Sequence, residues 1–167
     1  MSNYEKKSFY ALKYLPKRLT KKDKILQRKM LDKSRKLYKK GKYYTRKIVS
    51  SYPKKISPHI LHAQKIYKIE KIMPSKELAI KTGCTVNALS QIEKKGQGAY
   101  YSSGSRPNQT AHSWGRARLA SAITAGKSAA VDFSILEKGC KHNGKAFTMA
   151  LKAKEKHGYG HRKVPKV

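Results

Sequence analysis

Apolar side chains along this chain recur at helical spacing, and no stretch alternates as a half-buried strand requires. Between Thr20 and Gly41 the chain runs without Gly or Pro, Thr20 is placed to cap, and Asp23 stands at the third helical position. That pattern predicts a helix over 21–40 closed by Gly41. Its apolar stripe of Ile25, Leu26, Met30 and Leu37 is narrow, and the rest of its surface is mostly Lys and Arg, so it needs a partner surface to stay ordered. Ser57-Pro58 opens a second helix with Ala63, Ile66 and Tyr67 on one face, ending before Pro74. Ser75 caps a third. Thr110 caps another that reaches about Ala125, a short one over 131–138 ends at Gly139, and the last, over 145–157, ends at Gly158.

Two stretches stand out within this series. Residues 75–95 place Ala79 where two helices must approach and Gly83 where a turn needs positive φ, with Leu78, Leu89 and Ile92 on a shared core. The spacing matches a helix-turn-helix unit whose second helix, over about 85–94, would present Thr85, Asn87, Ala88 and Gln91 to base edges. Asn and Gln can read adenine through two hydrogen bonds. A tight helical hairpin with no DNA-reading role fits the same residues. Residues 96–105, Gly-Gln-Gly-Ala-Tyr-Tyr-Ser-Ser-Gly-Ser, read as a turn-rich stretch followed by Arg106, Asn108 and Gln109 and by Trp114, Arg116 and Arg118 on a helix. These donors could clamp a phosphate or a carboxylate-rich groove, or the loop could be a buried polar pin for the helix start.

Charge changes the picture most. The 167 residues hold 40 Lys and Arg against 9 Asp and Glu, a formal net charge of +31, which calls for a negatively charged partner. Residues 1–72 carry a net +19, 73–139 a net +5 and 140–167 a net +7. The expected organisation is therefore a basic arm with one helix over 1–50, a helical core over 51–140, and a short helix with a basic tail over 141–167. The fold class is all-α: a small helical domain containing a helix-turn-helix-like unit, with an extended basic N-terminal arm and C-terminal tail. In the arm, Lys17, Arg18, Arg28, Arg35, Lys36, Lys39, Lys40, Lys42, Arg46 and Lys47 are interleaved with Tyr43 and Tyr44, and with Tyr38 and Tyr52 nearby. That mixture suits stacking with phosphate neutralisation on nucleic acid, or tyrosine anchors with a charged rim on a protein.

Several chemistries fall away. Ser103, Ser105, Ser113 and His112 lie near one another with Glu93 as the nearest acid, but no nucleophile, base and orienter can be assembled, and no enzyme is expected. Gly126-Lys127-Ser128 resembles the end of a phosphate-binding loop, yet Ser121 stands where that loop needs Gly. Cys140, His142, His157 and His161 lack the second Cys of a zinc site, so no metal and no cofactor are expected. Cys84 and Cys140, far apart and without a secretory leader, read as two free thiols in a reducing compartment. No transmembrane segment and no small-molecule substrate are expected.

Leu15-Pro16-Lys17, residues 33–36 and 39–43, Leu78-Ala79 with residues 81–84, the run over 100–110, Ser113-Trp114-Gly115 and residues 117–121 together resemble one family. It comprises small basic proteins encoded by nucleocytoplasmic large DNA viruses, those of algae and amoebae among them. In that family paired glycines precede the lysine corresponding to Lys127, where this chain has Ala125-Gly126, a departure that would stiffen the helix end. The resemblance implies a viral origin, brings no enzymatic role, and makes a virion component the simplest expectation. That component would be a minor capsid or cement protein made in the host cytoplasm, with major and minor capsid proteins of the same virus as partners. A helix-turn-helix DNA-binding or genome-packaging protein, with nucleic acid as the partner, is the alternative.

Overall fold

The computed structural model describes residues 9–158 and is all-helical over that range, with one isolated bridge between Cys84 and Cys140 in place of any strand. The basic tail beyond Gly158, with His161, lies outside the described residues. The described residues divide into two compact units, the first built from residues 9–54 together with Tyr101–Thr110, the second from Lys55–Tyr100 and residues 111–158.

In the first unit a 3-10 turn at Leu12–Tyr14 leads into α1, Lys21–Tyr38. Thr20 caps α1 by accepting from the Asp23 amide at 3.2 Å, as its spacing predicts. The Asp23 carboxylate in turn accepts from the Ser51 amide and hydroxyl, which ties the helix start to the chain that follows the helix. The buried face of α1 shares only Met30 with the predicted stripe. Asp23, Gln27, Met30, Leu31 and Ser34 are buried, while Ile25 is 53% and Leu26 40% exposed. Two small clusters take up the apolar members: Tyr10 and Leu15 close on Leu31, and Leu19 and Val49 close on Met30. Residues 9–54 are thus packed, where charge content had suggested an extended arm. The packing is helped by hydrogen bonds from polar groups within the unit: the Gln27 Nε2 donates to the Tyr14 carbonyl, and Tyr10 donates to Asp32.

The second unit holds α2 (Pro58–Tyr67), α3 (Lys76–Thr82), α4 (Val86–Ser102), α5 (Ala111–Ala122), α6 (Lys127–Val131), α7 (Phe133–Gly139) and α8 (Lys145–His157), the last two residues of α4 belonging with the first unit. Ser57 and Ser75 cap α2 and α3 as their positions predict. α5 packs on α2 and α6, and α8 on α3, α6 and α7, around a continuous core that includes Tyr67, Leu78, Leu89, Ile92, Leu119, Ile123, Leu136 and Phe147. α4 is longer than expected, because Gly96 serves a helix crossing and makes no bend. A Cβ on Gly96 would lie 2.6 Å from the Gly115 Cα, so α4 and α5 meet backbone to backbone there. Cys84 and Cys140 are not free thiols. They form a disulfide with Cα atoms 3.8 Å apart, flanked by Thr85 N–H to Gly139 O and Lys141 N–H to Gly83 O bonds. Their separation of 56 residues hid a return of the chain that only the packing of α8 on α3 and α7 creates.

Candidate partner-binding surface

Sorting the basic and polar residues by what they touch divides them into two groups. Arg46, expected to meet a partner, is 7% exposed and donates to the hydroxyls of Ser34 and Ser105 at 2.8 and 2.9 Å. Asn108 holds φ +64 and clamps the chain opposite it, accepting from the Val49 amide and donating to the Val49 and Tyr52 carbonyls. Arg35 donates to the Ser103 carbonyl at 2.8 Å and lies 4.0 Å from the centre of the Tyr10 ring, over which Arg28 also sits at 5.6 Å. These four residues knit residues 101–110 and the N-terminal segment into the first unit. Polar groups withdrawn from water need such partners, and these supply them. Of the two readings of the 105–109 run, the pinning one accounts for Asn108; Gln109 is half-buried.

In the second unit Arg118 forms a two-pronged pair with the fully buried Asp132, at 2.8 and 2.7 Å, with Lys95 adding a contact at 3.5 Å. An arginine fork on a buried carboxylate is a structural pin, because removing it leaves a charge without compensation. Arg118 is therefore withdrawn from the partner-binding set, while Arg116 is exposed.

The second group faces solvent. Lys17, Arg18, Lys36, Lys39, Lys40, Lys42, Lys47 and Arg106 are exposed on the first unit, as is Tyr43 at 71%. Tyr44 is half-buried against the Leu19, Met30 and Val49 cluster with Lys33 over its ring. The described part of this unit carries 18 Lys and Arg against Asp23 and Asp32, a net of +16.

The α3–α4 hairpin turns at Gly83, whose φ of +80 meets the expectation for that position. Thr85, Asn87 and Gln91 are exposed. Ala88 is not available to bases, because it is 3% exposed and packs where a Cβ on Gly139 would come within 2.4 Å of it. The Thr85 hydroxyl is partly occupied as well, accepting from the Ala88 amide at 3.1 Å.

A model of a protein family of unknown function, DUF5824, matches residues 7–138. The chain belongs to that family. The matched stretch covers the exposed basic group, the pinning residues of the first unit and the α3–α4 hairpin, and ends just before Cys140. Neither a curated protein nor a solved structure matches the chain.

The other sequence motifs resolve into structural roles. Ser121 accepts from the Ser128 amide and closes the Gly126 turn, so the phosphate-loop look-alike is a helix junction. Cys140 is spent in the disulfide, and His142 stacks on Phe147 with ring centroids 4.2 Å apart. Among the described residues no group of three or more His, Cys, Asp or Glu could hold a metal, and no helix is long and apolar enough to cross a membrane. His112 meets Gln97, which also bonds Glu93, and no serine is aligned with it by these contacts. Trp114, on α5 as expected, is half-buried. Sequence reasoning did not pair Tyr101 with Tyr43, whose ring lies 4.9 Å away; nothing local signals a partner so distant along the chain.

Proposed function

We propose that this chain is a non-enzymatic virion structural protein, a minor capsid or cement protein binding acidic surfaces of neighbouring capsid subunits of a large icosahedral DNA virus. The observation that carries the reading is the division of labour on the first unit. Arg46, Arg35 and Asn108 are spent on holding it folded, while Lys17, Lys36, Lys39, Lys40, Lys42, Lys47 and Arg106 face solvent from a packed scaffold. A scaffold holding many cations at fixed positions suits recognition of a surface with a fixed pattern of carboxylates. The viral origin and the capsid partners rest on the resemblance of the 100–110 run and its companions.

The test is to disrupt particles and ask where the protein goes. Retention with the emptied shell supports the reading, and departure with the genome overturns it. Changing Lys39, Lys40, Lys42 and Lys47 together to Ala should reduce incorporation without altering the far-ultraviolet dichroism, since none of the four is buried.

Exposure of Asn87 and Gln91 on the first turns of α4, and of Thr85 just before it, favours a second reading, duplex recognition by a helix-turn-helix. Under it, Asn87→Ala and Gln91→Ala would relax sequence preference at individual base pairs, roughly 1–3 kcal/mol each.

A further inference from the structure

We infer that Tyr38 and Tyr43, the latter backed by Tyr101, with Lys36, Lys39, Lys40 and Lys42 beside them in the chain, form a stacking platform for single-stranded nucleic acid. The inference goes beyond the capsid reading: it shares Lys36, Lys39, Lys40 and Lys42 with that reading but rests on the tyrosine rings, which that reading does not use.

The platform is built by the end of α1. The Gly41 amide bonds back to the Tyr38 carbonyl and the Lys42 amide to the Leu37 carbonyl, with Gly41 at φ +74. That reversal brings the Tyr43 ring to 6.2 Å from Tyr38, and the Tyr101 ring lies 4.9 Å from Tyr43 on its other contact. Four other described tyrosines of the unit are covered by cations. Tyr10, Tyr14, Tyr44 and Tyr52 each have a cation over the ring, from Arg35, Lys13, Lys33 and Arg18 respectively. Tyr43 keeps 71% of its surface in water and Tyr38 keeps 38%, so ring area remains for a planar ligand.

What could cover those rings follows from their neighbours. Lys36, Lys39, Lys40 and Lys42 are all exposed, and Leu37, the one aliphatic residue between 36 and 43, is half-buried. A protein partner would need apolar area to bury around the rings, and the segment offers little of it. A single strand needs a π-face for each base and exposed cations for its phosphates, and both are present. A duplex hides the faces of its bases in its own stack and gains only the phosphate contacts.

The test compares the full-length protein with its Tyr43→Ala and Tyr43→Phe variants by fluorescence anisotropy, using a labelled oligothymidylate of about 12 nucleotides and a duplex of the same length. A labelled polyglutamate serves as the acidic-protein surrogate. Tyr43→Ala should weaken oligothymidylate binding roughly 5- to 150-fold, the range one base–aromatic stack carries. Tyr43→Phe should retain it, and duplex binding should be nearly unchanged in both. Equal loss for oligothymidylate, duplex and polyglutamate would overturn the platform, as would oligothymidylate binding indifferent to Tyr43→Ala. A loss confined to polyglutamate would assign the surface to an acidic protein instead and also overturn it. Because Tyr43 is so exposed, all three proteins should melt together, and thermal melts establish that the comparison is between folded proteins.

Discussion

Ala125 holds φ +59, a backbone conformation in which a Cβ crowds the neighbouring carbonyl. The conformation strains the α5–α6 junction, where a stiffer helix end had been expected. Ala125→Gly should therefore stabilise the protein by about 1 kcal/mol, since relief of the left-handed strain outweighs the extra unfolded-state entropy of glycine. Calorimetric melting would show a rise of several degrees, and a fall would mean that the strain is relieved elsewhere. Asp23 offers a second test at this scale. Hydrogen bonds from the Ser51 side chain and amide hold its carboxyl below the usual range. A group whose folded pKa is depressed contributes stability that is present above its unfolded pKa, about 4, and lost as pH falls through the folded value. Ser51→Ala removes the largest cause. The variant's melting deficit should be greatest near neutral pH and shrink below about pH 4, where Asp23 gains a proton in the unfolded chain whichever residue stands at 51. A deficit that stays constant down to acid pH would detach Asp23 from the effect.

Elements whose ends are set by their own residues were legible in the sequence. Thr20, Ser57 and Ser75 cap helices because their hydroxyls reach amides two or three residues on, and Gly83 turns because no other residue accepts its φ cheaply. What was illegible depends on partners distant in the chain. The buried face of α1 could not be read from hydrophobicity, because Gln27 and Ser34 are buried and Ile25 and Leu26 are not. Gly96 looked like a turn residue because its use, contact with Gly115, is made across a helix crossing. Likewise the exposed surface kept Lys39, Lys40 and Lys42 as expected but lost Arg46, whose partners Ser34 and Ser105 flank it at 12 and 59 residues. The disulfide is the plainest nonlocal case, and it ties the α3–α4 turn to the α7–α8 connection. Closing a loop of this length removes unfolded-state entropy equivalent to about 4 kcal/mol in the chain-entropy model. Reduction, or Cys84→Ser with Cys140→Ser, should lower stability by an amount of that order, read as a shift in the urea midpoint of the second unit. An unchanged midpoint would show that the two sulfurs are not joined in solution.

At the scale of the whole chain, the two units have unequal means of staying folded. The second rests on one continuous core of helical side chains, whereas the first rests on two clusters of three residues each and on buried polar pins. The first also carries a net +16, against +11 on the larger described part of the second, where 17 Lys and Arg oppose 6 acids. Like charges at this density oppose compaction, and few apolar contacts are available to offset the ordering entropy. Local opening should then be easier in α1 than in α5 or α8, so α1 amides should exchange hydrogen faster at low salt. Raising the salt from about 10 to about 150 mM contracts the Debye length from about 30 to about 8 Å, which screens repulsion across the first unit. Exchange in α1 should slow over that range while α5 and α8, whose protection rests on apolar burial, change little. Hydrogen exchange read by mass spectrometry on peptides from each helix measures this directly. Equal protection of α1 and α5 at low salt, or an α1 rate indifferent to salt, would show that the polar pins alone hold the first unit. The expected result ties its folding to its chemistry: a unit this positively charged gains order from any anionic surface that replaces the screening salt, so binding and folding reinforce one another.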